Sequence, residues 1–330
     1  MKYILGIECT AHTFGIAILD ESAKMLVNLR DMYKTEQGGI IPTVAANHHK
    51  EISQTIYQDA LKQANIEEKD LFAIALSNAP GLAPCLLAGM HFAKDLGKKL
   101  NIPIVPINHC IAHLEIGEIT GAKDPVLLYA SGANTQIIAY EAGKYRIFGE
   151  TLDLGVGNFI DTVARYAGLG FPGGPKLSIL AEKAEKYIEL PYNIKGMDVA
   201  FSGMLTKIRN MIEKKQEKIE DIAFSIQETA FAMLVEAAER ALAHTGKKEL
   251  LLGGGVACNT RLQDMCKKMT EARGCKMFCP DRSLLVDNAA MIAYLGLKMY
   301  KKKIFFSPKD FSKLDINPRQ RADEVEVSWK

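Results

Sequence analysis

The sequence predicts an α/β protein built from two similar lobes. Three observations indicate this: short apolar runs alternate with segments of helical periodicity, one hairpin pattern occurs twice, and the order of elements starts again near residue 126. Each hairpin joins two apolar strands through a short polar turn, at 3–20 and again at 126–140. The repeat therefore predicts a duplicated α/β fold with a cleft between the lobes.

The first half reads as three strands followed by alternating helices and strands. The helix at 43–65 carries Ile52, Ile56 and Ala60 on one face, because residues four apart lie one turn above each other. In order, we predict strands at 3–8, 14–20 and about 24–30, a helix at 43–65, a strand at 71–77, a helix at 85–100, a strand at 102–107 and a short helix after 108.

The second half repeats the strand hairpin and adds glycine-rich turns at 132–134, 155–157, 168–175 and 253–255. Such turns let a phosphate or nucleotide approach backbone N–H groups, although an ordinary surface connection is the alternative. The spacing G-x-G-x-x-G is absent at 253–255, so a Rossmann dinucleotide site is not supported. We predict strands at 126–131, 135–140, about 145–151 and 249–253. We also predict one helix that carries Asp161, helices that begin at 176, 259 and 287, and helices that span 203–216 and 221–245.

Composition indicates an ordinary globular protein that works in a reducing compartment. Of the 330 residues, 48% are hydrophobic and 24% charged, and the net charge of +2 gives no overall positive field for nucleic acid. The 7 cysteines are scattered without a C-x-x-C pair. No signal peptide or membrane-spanning run is recognised, so we expect a cytoplasmic protein with neither a membrane nor a DNA partner.

The clearest chemical signal is a pair of histidines in Asn108–His113. His109 and His113 are four apart, so a short helix capped by Asn108 would present both imidazoles on one face to a metal ion. Two unrelated histidines are the alternative. Cys110 occupies the position of the catalytic Glu in His-Glu-x-x-His, which argues against a metalloprotease.

A third ligand must come from elsewhere in the chain. Asp287 opens a predicted helix, where it is either a cap or the missing carboxylate. His48 and His49 are adjacent in the helix at 43–65 and face different directions, so we interpret them as a surface or partner-contact feature.

Seven motifs in order carry a resemblance that runs essentially from end to end. The sequence resembles the universal tRNA N6-threonylcarbamoyladenosine transferases, and is most similar to the archaeal and eukaryotic branch, the catalytic subunit of the KEOPS complex. The motifs are GIECTAHTFG at 6–15, NHCIAH at 108–113, YASGANTQ at 129–136, FPGGP at 171–175, MDVAFSG at 197–203, GGGVA at 253–257 and DN at 287–288.

The resemblance implies an actin/sugar-kinase/Hsp70-like fold. Its lobes would comprise 1–118 with about 305–330, and 119–304. It also implies one divalent metal, Fe or Zn with Fe favoured, held by His109, His113 and Asp287 with Tyr129 as a further ligand. An adenine nucleotide, as ATP, AMP or threonylcarbamoyl-adenylate, would contact residues at the end of the second hairpin strand, the glycine loop and the last glycine turn, namely Tyr129, Ala130, Ser131, Gly132, Ala133, Asp161, Gly174 and Asn259. Ser178 departs from the acidic residue often found there.

The implied reaction moves threonylcarbamoyl from threonylcarbamoyl-adenylate to N6 of an adenosine next to the anticodon, in tRNAs reading codons that begin with A, and releases AMP. Glu8, at the end of the first strand, is our hypothesis for the general base. Implied partners are tRNA, a small kinase or ATPase subunit and a small dimerising subunit. The alternatives are an ATP-hydrolysing or kinase-like enzyme of the same fold and a non-catalytic scaffold subunit, and a peptidase is the weakest.

Overall fold

The computed structural model describes residues 2–34 and 40–330. The chain divides into two compact units, Met1–Ile116 with Asp287–Lys330, and Gly117–Val286. We expected the second lobe to extend to 304, but 287–304 belongs to the first unit. The physical reason is that the helix after Asp287 packs on the sheet of the first unit.

The strands expected from the apolar runs have formed with boundaries close to those predicted. Among the described residues, the strands are β1 (Tyr3–Glu8), β2 (Thr13–Asp20), β3 (Met25–Met32), β4 (Leu71–Ala79), β5 (Ile104–Asn108), β6 (Val126–Ala130), β7 (Thr135–Glu141), β8 (Lys144–Glu150), β9 (Ile194–Lys195), β10 (Asp198–Val199), β11 (Glu249–Gly253) and β12 (Lys276–Phe278). The three short strands β9, β10 and β12 were not predicted.

The helices vary widely in length and follow the predicted order, with one short helix added. Within the described residues they are α1 (Pro42–Ala64), α2 (Ala83–Leu100), α3 (His109–Glu115), α4 (Val156–Tyr166), α5 (Gly174–Ala181), α6 (Ser202–Glu213), α7 (Ile219–Thr245), α8 (Thr260–Ala272), α9 (Arg282–Leu285) and α10 (Ala289–Lys301). The short helix α9 was not predicted. None of these helices has the combination of length and apolar character that crossing a bilayer requires.

The two main sheets share one topology. The first has the order β3-β2-β1-β4-β5, with β1 to β3 antiparallel and with β4 and β5 running parallel to β1. The second has the order β8-β7-β6-β11-β12, with β6 to β8 antiparallel and with β11 and β12 running parallel to β6. The repeated hairpin in the sequence thus corresponds to a repeated five-stranded sheet.

Strand β1 separates two packed layers in the first unit, because its side chains alternate between the faces of the sheet. Leu5 and Ile7 belong to the core that α1 and α2 cover. On the opposite face, a Cβ on Gly6 would lie 2.3 Å from the carbonyl oxygen of Ala289 in α10. The absence of a side chain at Gly6 therefore lets α10 lie directly on the sheet.

The second unit uses the same alternation. Val126, Leu128 and Ala130 of β6 lie in one buried cluster with apolar residues of α4, α7 and α8. Tyr129 lies on the other face of β6 and is also buried.

The adjacent histidines of α1 correct one sequence interpretation. His49 is fully buried, and its Nε2 donates to the carbonyl oxygen of Ala11 at 2.9 Å. His48 lies nearer the surface, with its Nε2 2.9 Å from Oδ1 of Asp31. His49 is therefore a core residue and not a surface feature. Its hydrogen bond ties α1 to the turn between β1 and β2.

Candidate metal centre and nucleotide-binding turns

The histidine helix begins as its sequence predicts. Asn108 ends β5, and its Oδ1 accepts a hydrogen bond from the backbone N–H of Ile111 at 3.2 Å, so it is the N-cap of α3. His109 and His113 lie one turn apart and are buried, with ring centroids 4.8 Å apart. The cap and the helical spacing together direct both imidazoles to one side of α3.

Asp287 is not the cap of the helix that it precedes. Asn288 takes that role, since its Oδ1 accepts from the N–H of Met291 at 3.0 Å. The Asp287 carboxylate is directed to the histidines instead, with Oδ1 3.3 Å from Nε2 of His109 and 3.6 Å from Nε2 of His113. The alternatives left open by the sequence are therefore resolved in favour of a carboxylate beside the imidazoles.

The donor set fits a metal such as Zn²⁺ or Fe²⁺. One ligand atom from each of His109, His113 and Asp287 lies within 4.8 Å of the others. Two imidazole nitrogens and one carboxylate oxygen suit these metals and leave coordination positions for a substrate. Within the part of the chain that the structure describes, the group of three or more His, Cys, Asp or Glu side chains whose ligand atoms lie this close together is His109, His113 and Asp287.

The protonation states also fit metal binding. Burial lowers the pKa of His113 below its usual value, which favours the neutral imidazole that a metal requires. Burial alone would raise the pKa of Asp287. The charge of His109 and the close approach of both imidazoles to the carboxylate outweigh it, so this pKa lies well below its usual value. Asp287 is therefore a carboxylate at neutral pH.

Glu8 supports His109 from behind. Its Oε2 lies 2.9 Å from Nδ1 of His109, while Oε1 accepts from the N–H of Thr10 at 2.7 Å and from its hydroxyl at 2.6 Å. A carboxylate at Nδ1 fixes the tautomer that leaves Nε2 as a ligand. We expected Glu8 to be the general base. That interpretation does not fit the geometry, because Glu8 is fully buried and both its oxygens bind protein groups.

The predicted phosphate turn follows β6. Ser131 closes it, with its hydroxyl donating to the carbonyl oxygen of Asn134 at 2.9 Å, and Gly132 and Ala133 are exposed at the tip. Ala130 ends the strand and Tyr129 precedes it. The residues predicted from 129 to 133 therefore form one continuous segment at the carboxyl end of β6.

Three glycines outside that segment allow this packing. A Cβ on Gly155 would lie 2.4 Å from the carbonyl oxygen of Gly132, and one on Gly157 would lie 2.7 Å from its Cα. A Cβ on Gly254 would lie 2.4 Å from the carbonyl oxygen of Ala130. The sequence signal was present in the glycine clusters at 155–157 and 253–255, but their partner in the fold was not predictable from spacing.

Asp161 is linked to the start of α5 through Gly173, the residue before Gly174. Oδ1 of Asp161, on α4, accepts from the N–H of Gly173 at 2.7 Å, and α5 begins at Gly174. A Cβ on Gly173 would lie 2.2 Å from Cβ of Ala164, so the glycine loop contacts α4 closely. Asp161 thus anchors the loop whose ligand role was predicted.

Asn259 is the N-cap of α8. Its Oδ1 accepts from the N–H groups of Arg261 and Leu262, and its Nδ2 donates to Oε1 of Gln227 at 2.7 Å. Sequence reasoning missed Gln227, because this residue lies within α7 with no motif around it. Asn259 therefore orients the start of α8 beside Gln227.

Comparison with known proteins identifies the family. A family model described as TsaD, tRNA N6-adenosine threonylcarbamoyltransferase, matches residues 24–294. The tRNA N6-adenosine threonylcarbamoyltransferase of Thermococcus sibiricus is 52% identical over 325 residues, covering 98% of this chain and 99% of the relative. The chain belongs to this family. As a member of the threonylcarbamoyltransferase family it is an acyl-transferring enzyme. Its high identity to the Thermococcus protein confirms the predicted archaeal branch.

Longer relatives of the threonylcarbamoyltransferase family also match. The probable bifunctional tRNA threonylcarbamoyladenosine biosynthesis protein of Methanosarcina mazei is 51% identical over 331 residues, covering 99% of this chain and 59% of that protein. Family members of this length therefore carry a further segment beyond the region that this chain matches.

The fold is confirmed by solved structures. A crystal structure of full-length HypF in the phosphate- and nucleotide-bound form matches with a TM-score of 0.62 at 12% identity, covering 92% of this chain and 56% of that one. The likeness, together with the repeated sheet order, establishes the actin/sugar-kinase/Hsp70-like fold that the sequence predicted.

Proposed function

We propose that this chain transfers a threonylcarbamoyl group from threonylcarbamoyl-adenylate to N6 of an adenosine next to the anticodon, in tRNAs reading codons that begin with A. Membership of the transferase family supports the reaction class. The observation that carries the proposal is the convergence of His109, His113 and Asp287, from two separate parts of the chain, on one ligand-sized volume.

The three converging residues would hold one divalent metal, Fe or Zn with Fe favoured, and Tyr129 would be a further ligand. When bound, such a cation is a Lewis acid that polarises a carbonyl group. Glu8 and Thr10 hold His109 with Nε2 directed to the ligand cluster. The turn at Tyr129–Ala133 with Asp161, Gly174 and Asn259 would bind the adenylate part of the donor.

The bond changes are those of acyl transfer from a mixed anhydride. The lone pair of the adenosine N6 attacks the carbonyl carbon of the donor. The bond between that carbon and the phosphate oxygen breaks, AMP leaves with the electron pair, and N6 releases its proton to water. A base that is unstacked in a loop presents its edge more readily than one in a duplex.

The partners belong to the same proposal. With a net charge of +2, the chain alone offers a weak electrostatic attraction for tRNA, so partner proteins would supply much of the RNA contact. We expect a small kinase or ATPase subunit and a small dimerising subunit in the cytoplasm. The bifunctional name of the longer Methanosarcina relative supports a second activity acting beside this one.

The test is a comparison of two histidine variants. His109→Ala removes a proposed ligand, whereas His91→Ala removes an exposed histidine of α2 in the same unit. We expect His109→Ala to lose the metal, measured by elemental analysis, and to transfer no label from labelled threonylcarbamoyl-adenylate to unmodified tRNA. His91→Ala should retain both.

Three results would refute the proposal. The first is full tRNA modification by His109→Ala. The second is steady ATP turnover, or a phosphorylated product, in place of transfer. The third is normal modification by a complex in which both His109 and His113 are replaced. The second would favour the kinase-like alternative, and the third would favour the scaffold.

A further inference from the structure

The three proposed metal ligands come from only two helical elements of the first unit. His109 and His113 lie on α3, and Asp287 immediately precedes α10 and its cap Asn288. Residues on one helix move together, so the placement of α3 against α10 decides whether the donor atoms converge. Metal sites tolerate deviations of only a few tenths of an ångström in ligand distance.

Helix α10 is held on the sheet by close backbone contacts. A Cβ on Gly6 would lie 2.3 Å from the carbonyl oxygen of Ala289, and a Cβ on Gly296 would lie 2.3 Å from Cβ of Ala75 in β4. These contacts hold the first residue and the middle of α10 against the sheet. Helix α3 has only 7 residues, so its placement depends on the groups it contacts.

The last residue of α3 makes a buried ionic contact with α10. Glu115 is fully buried, and its Oε2 pairs with Nζ of Lys298, which lies ten residues beyond the cap of α10. Its Oε1 lies 3.5 Å from Nζ of Lys330. A buried carboxylate is stable only beside its counter-charges, so Glu115 holds the end of α3 at Lys298.

We propose that Glu115 and Lys298 are a positioning pair, which holds α3 against α10 so that two imidazoles and one carboxylate meet at the metal. The helices then contact each other at two points, the ligand cluster at their starts and the ion pair beyond it. This inference rests on the proposed metal site. Neither Glu115 nor Lys298 is a proposed ligand. Both would act on the metal through the placement of α3.

The test measures metal affinity and coordination in variants of the pair. Glu115→Gln removes the charge with little change of shape, Lys298→Met removes its partner, and Lys298→Arg preserves the charge. We expect each of the first two to bind Zn²⁺ about tenfold more weakly in competition with a chromophoric chelator, with an altered visible spectrum of bound Co²⁺. Lys298→Arg should keep the parent spectrum.

A double-variant cycle separates a pair from two independent residues. If the two residues act as one unit, the double variant Glu115→Gln with Lys298→Met loses no more Zn²⁺ affinity than the single variant that binds Zn²⁺ more weakly. Glu68→Gln is the matched control, because it breaks the pair of Glu68 with Lys99 in the same unit but away from α3 and α10. Leu61→Ala in the first core controls for lost stability alone.

The possible outcomes distinguish the two proposals. If the parent protein binds no cation, the proposed metal function fails and the positioning role fails with it. If the parent binds metal and the folded pair variants keep its affinity and Co²⁺ spectrum, only the positioning role is refuted. Should Glu115→Gln not fold, Lys298→Met and Lys298→Arg decide the question, because Lys298 is partly exposed. An equal loss in Leu61→Ala would also refute it.

Discussion

At the scale of single residues, the metal centre depends on side chains that do not bind the metal. Glu8 is such a residue, since it accepts from Nδ1 of His109 while Thr10 occupies its other oxygen. Asn288 is another, since it caps α10 and thereby leaves the carboxylate of Asp287 available to the histidines. The ligands can converge because neighbouring residues meet the competing hydrogen-bonding needs of the backbone.

Replacing Glu8 tests its support of His109. We expect Glu8→Gln to weaken metal binding about 10- to 100-fold, because an amide is a poorer acceptor from the imidazole N–H than a carboxylate. The dissociation constant for Zn²⁺ is the measurement. Glu51→Gln, an exposed residue of α1, is the control. An unchanged affinity in folded Glu8→Gln would contradict the positioning role.

His49 makes folding stability sensitive to acid. Burial lowers its pKa to about 4, against 6.5 for the unfolded residue. Between these values the unfolded chain binds a proton that the folded chain does not, so the free energy of unfolding falls as pH decreases from 6.5 towards 4. His113 acts in the same direction, because burial lowers its pKa as well.

The variant His49→Gln removes one of these protons while keeping a side-chain donor for the carbonyl of Ala11. Between pH 7 and 4.5 we expect the parent to lose about 2–3 kcal/mol more stability than the variant. Urea unfolding at the two pH values measures the difference. If both proteins lose the same free energy, His49 is not responsible.

At the scale of elements, the position of α10 connects the core to the metal centre. The helix lies on β1 and β2 with Ala289 at the contact, two residues after Asp287. Any change that lifts α10 from the sheet will therefore also displace a proposed ligand.

Two glycines facing the same alanine provide a matched test of that contact. A Cβ on Gly6 would lie 2.3 Å from the backbone of Ala289, whereas one on Gly15 would lie 3.4 Å from it. We expect Gly6→Ala to reduce the free energy of unfolding by about 1–3 kcal/mol, as overpacked cores do, and to weaken Zn²⁺ binding. Gly15→Ala should be closer to the parent in both chemical denaturation and metal titration. Equal effects would contradict the packing explanation.

Most elements were predictable because they follow from local patterns. Nine of the strands are the runs from which they were predicted, whereas the two- and three-residue strands β9, β10 and β12 have no such signal. Asn108 precedes α3 as an N-cap should. Asp287 was not decidable locally, because Asp and Asn are both good caps and tertiary contacts choose between them. The burial of His49 and the packing of α10 on the first sheet also depend on tertiary contacts, since no local spacing states which sheet a helix covers.

At the scale of the whole molecule, the proposed sites are distributed between the two compact units. The three converging ligands belong entirely to the first unit, and the turn at 129–133 with Asp161, Gly174 and Asn259 belongs to the second. The fold could be predicted from the repeated hairpin, but this division depended on where α10 packs.

Metal removal should therefore act locally. After treatment with a chelator, we expect faster amide hydrogen exchange in α3 and at the start of α10, because a ligand that binds only the folded state stabilises the structure that holds it. Strands β7 and β8, which carry no proposed ligand, should exchange at their former rate. Equal loss of protection in both units would show that the cation does not reside at His109, His113 and Asp287.

The shared strand order of the two sheets has an evolutionary consequence. Two copies of one five-stranded unit within a chain imply the duplication and fusion of a gene of half this length. Before fusion, two identical chains would have formed the pair, so every substitution at the carboxyl end of the first strand would have appeared in both chains at once. After it, Glu8 could specialise at one outlet and the small residues following Ala130 at the other, an asymmetry that a symmetric pair of identical chains cannot reach.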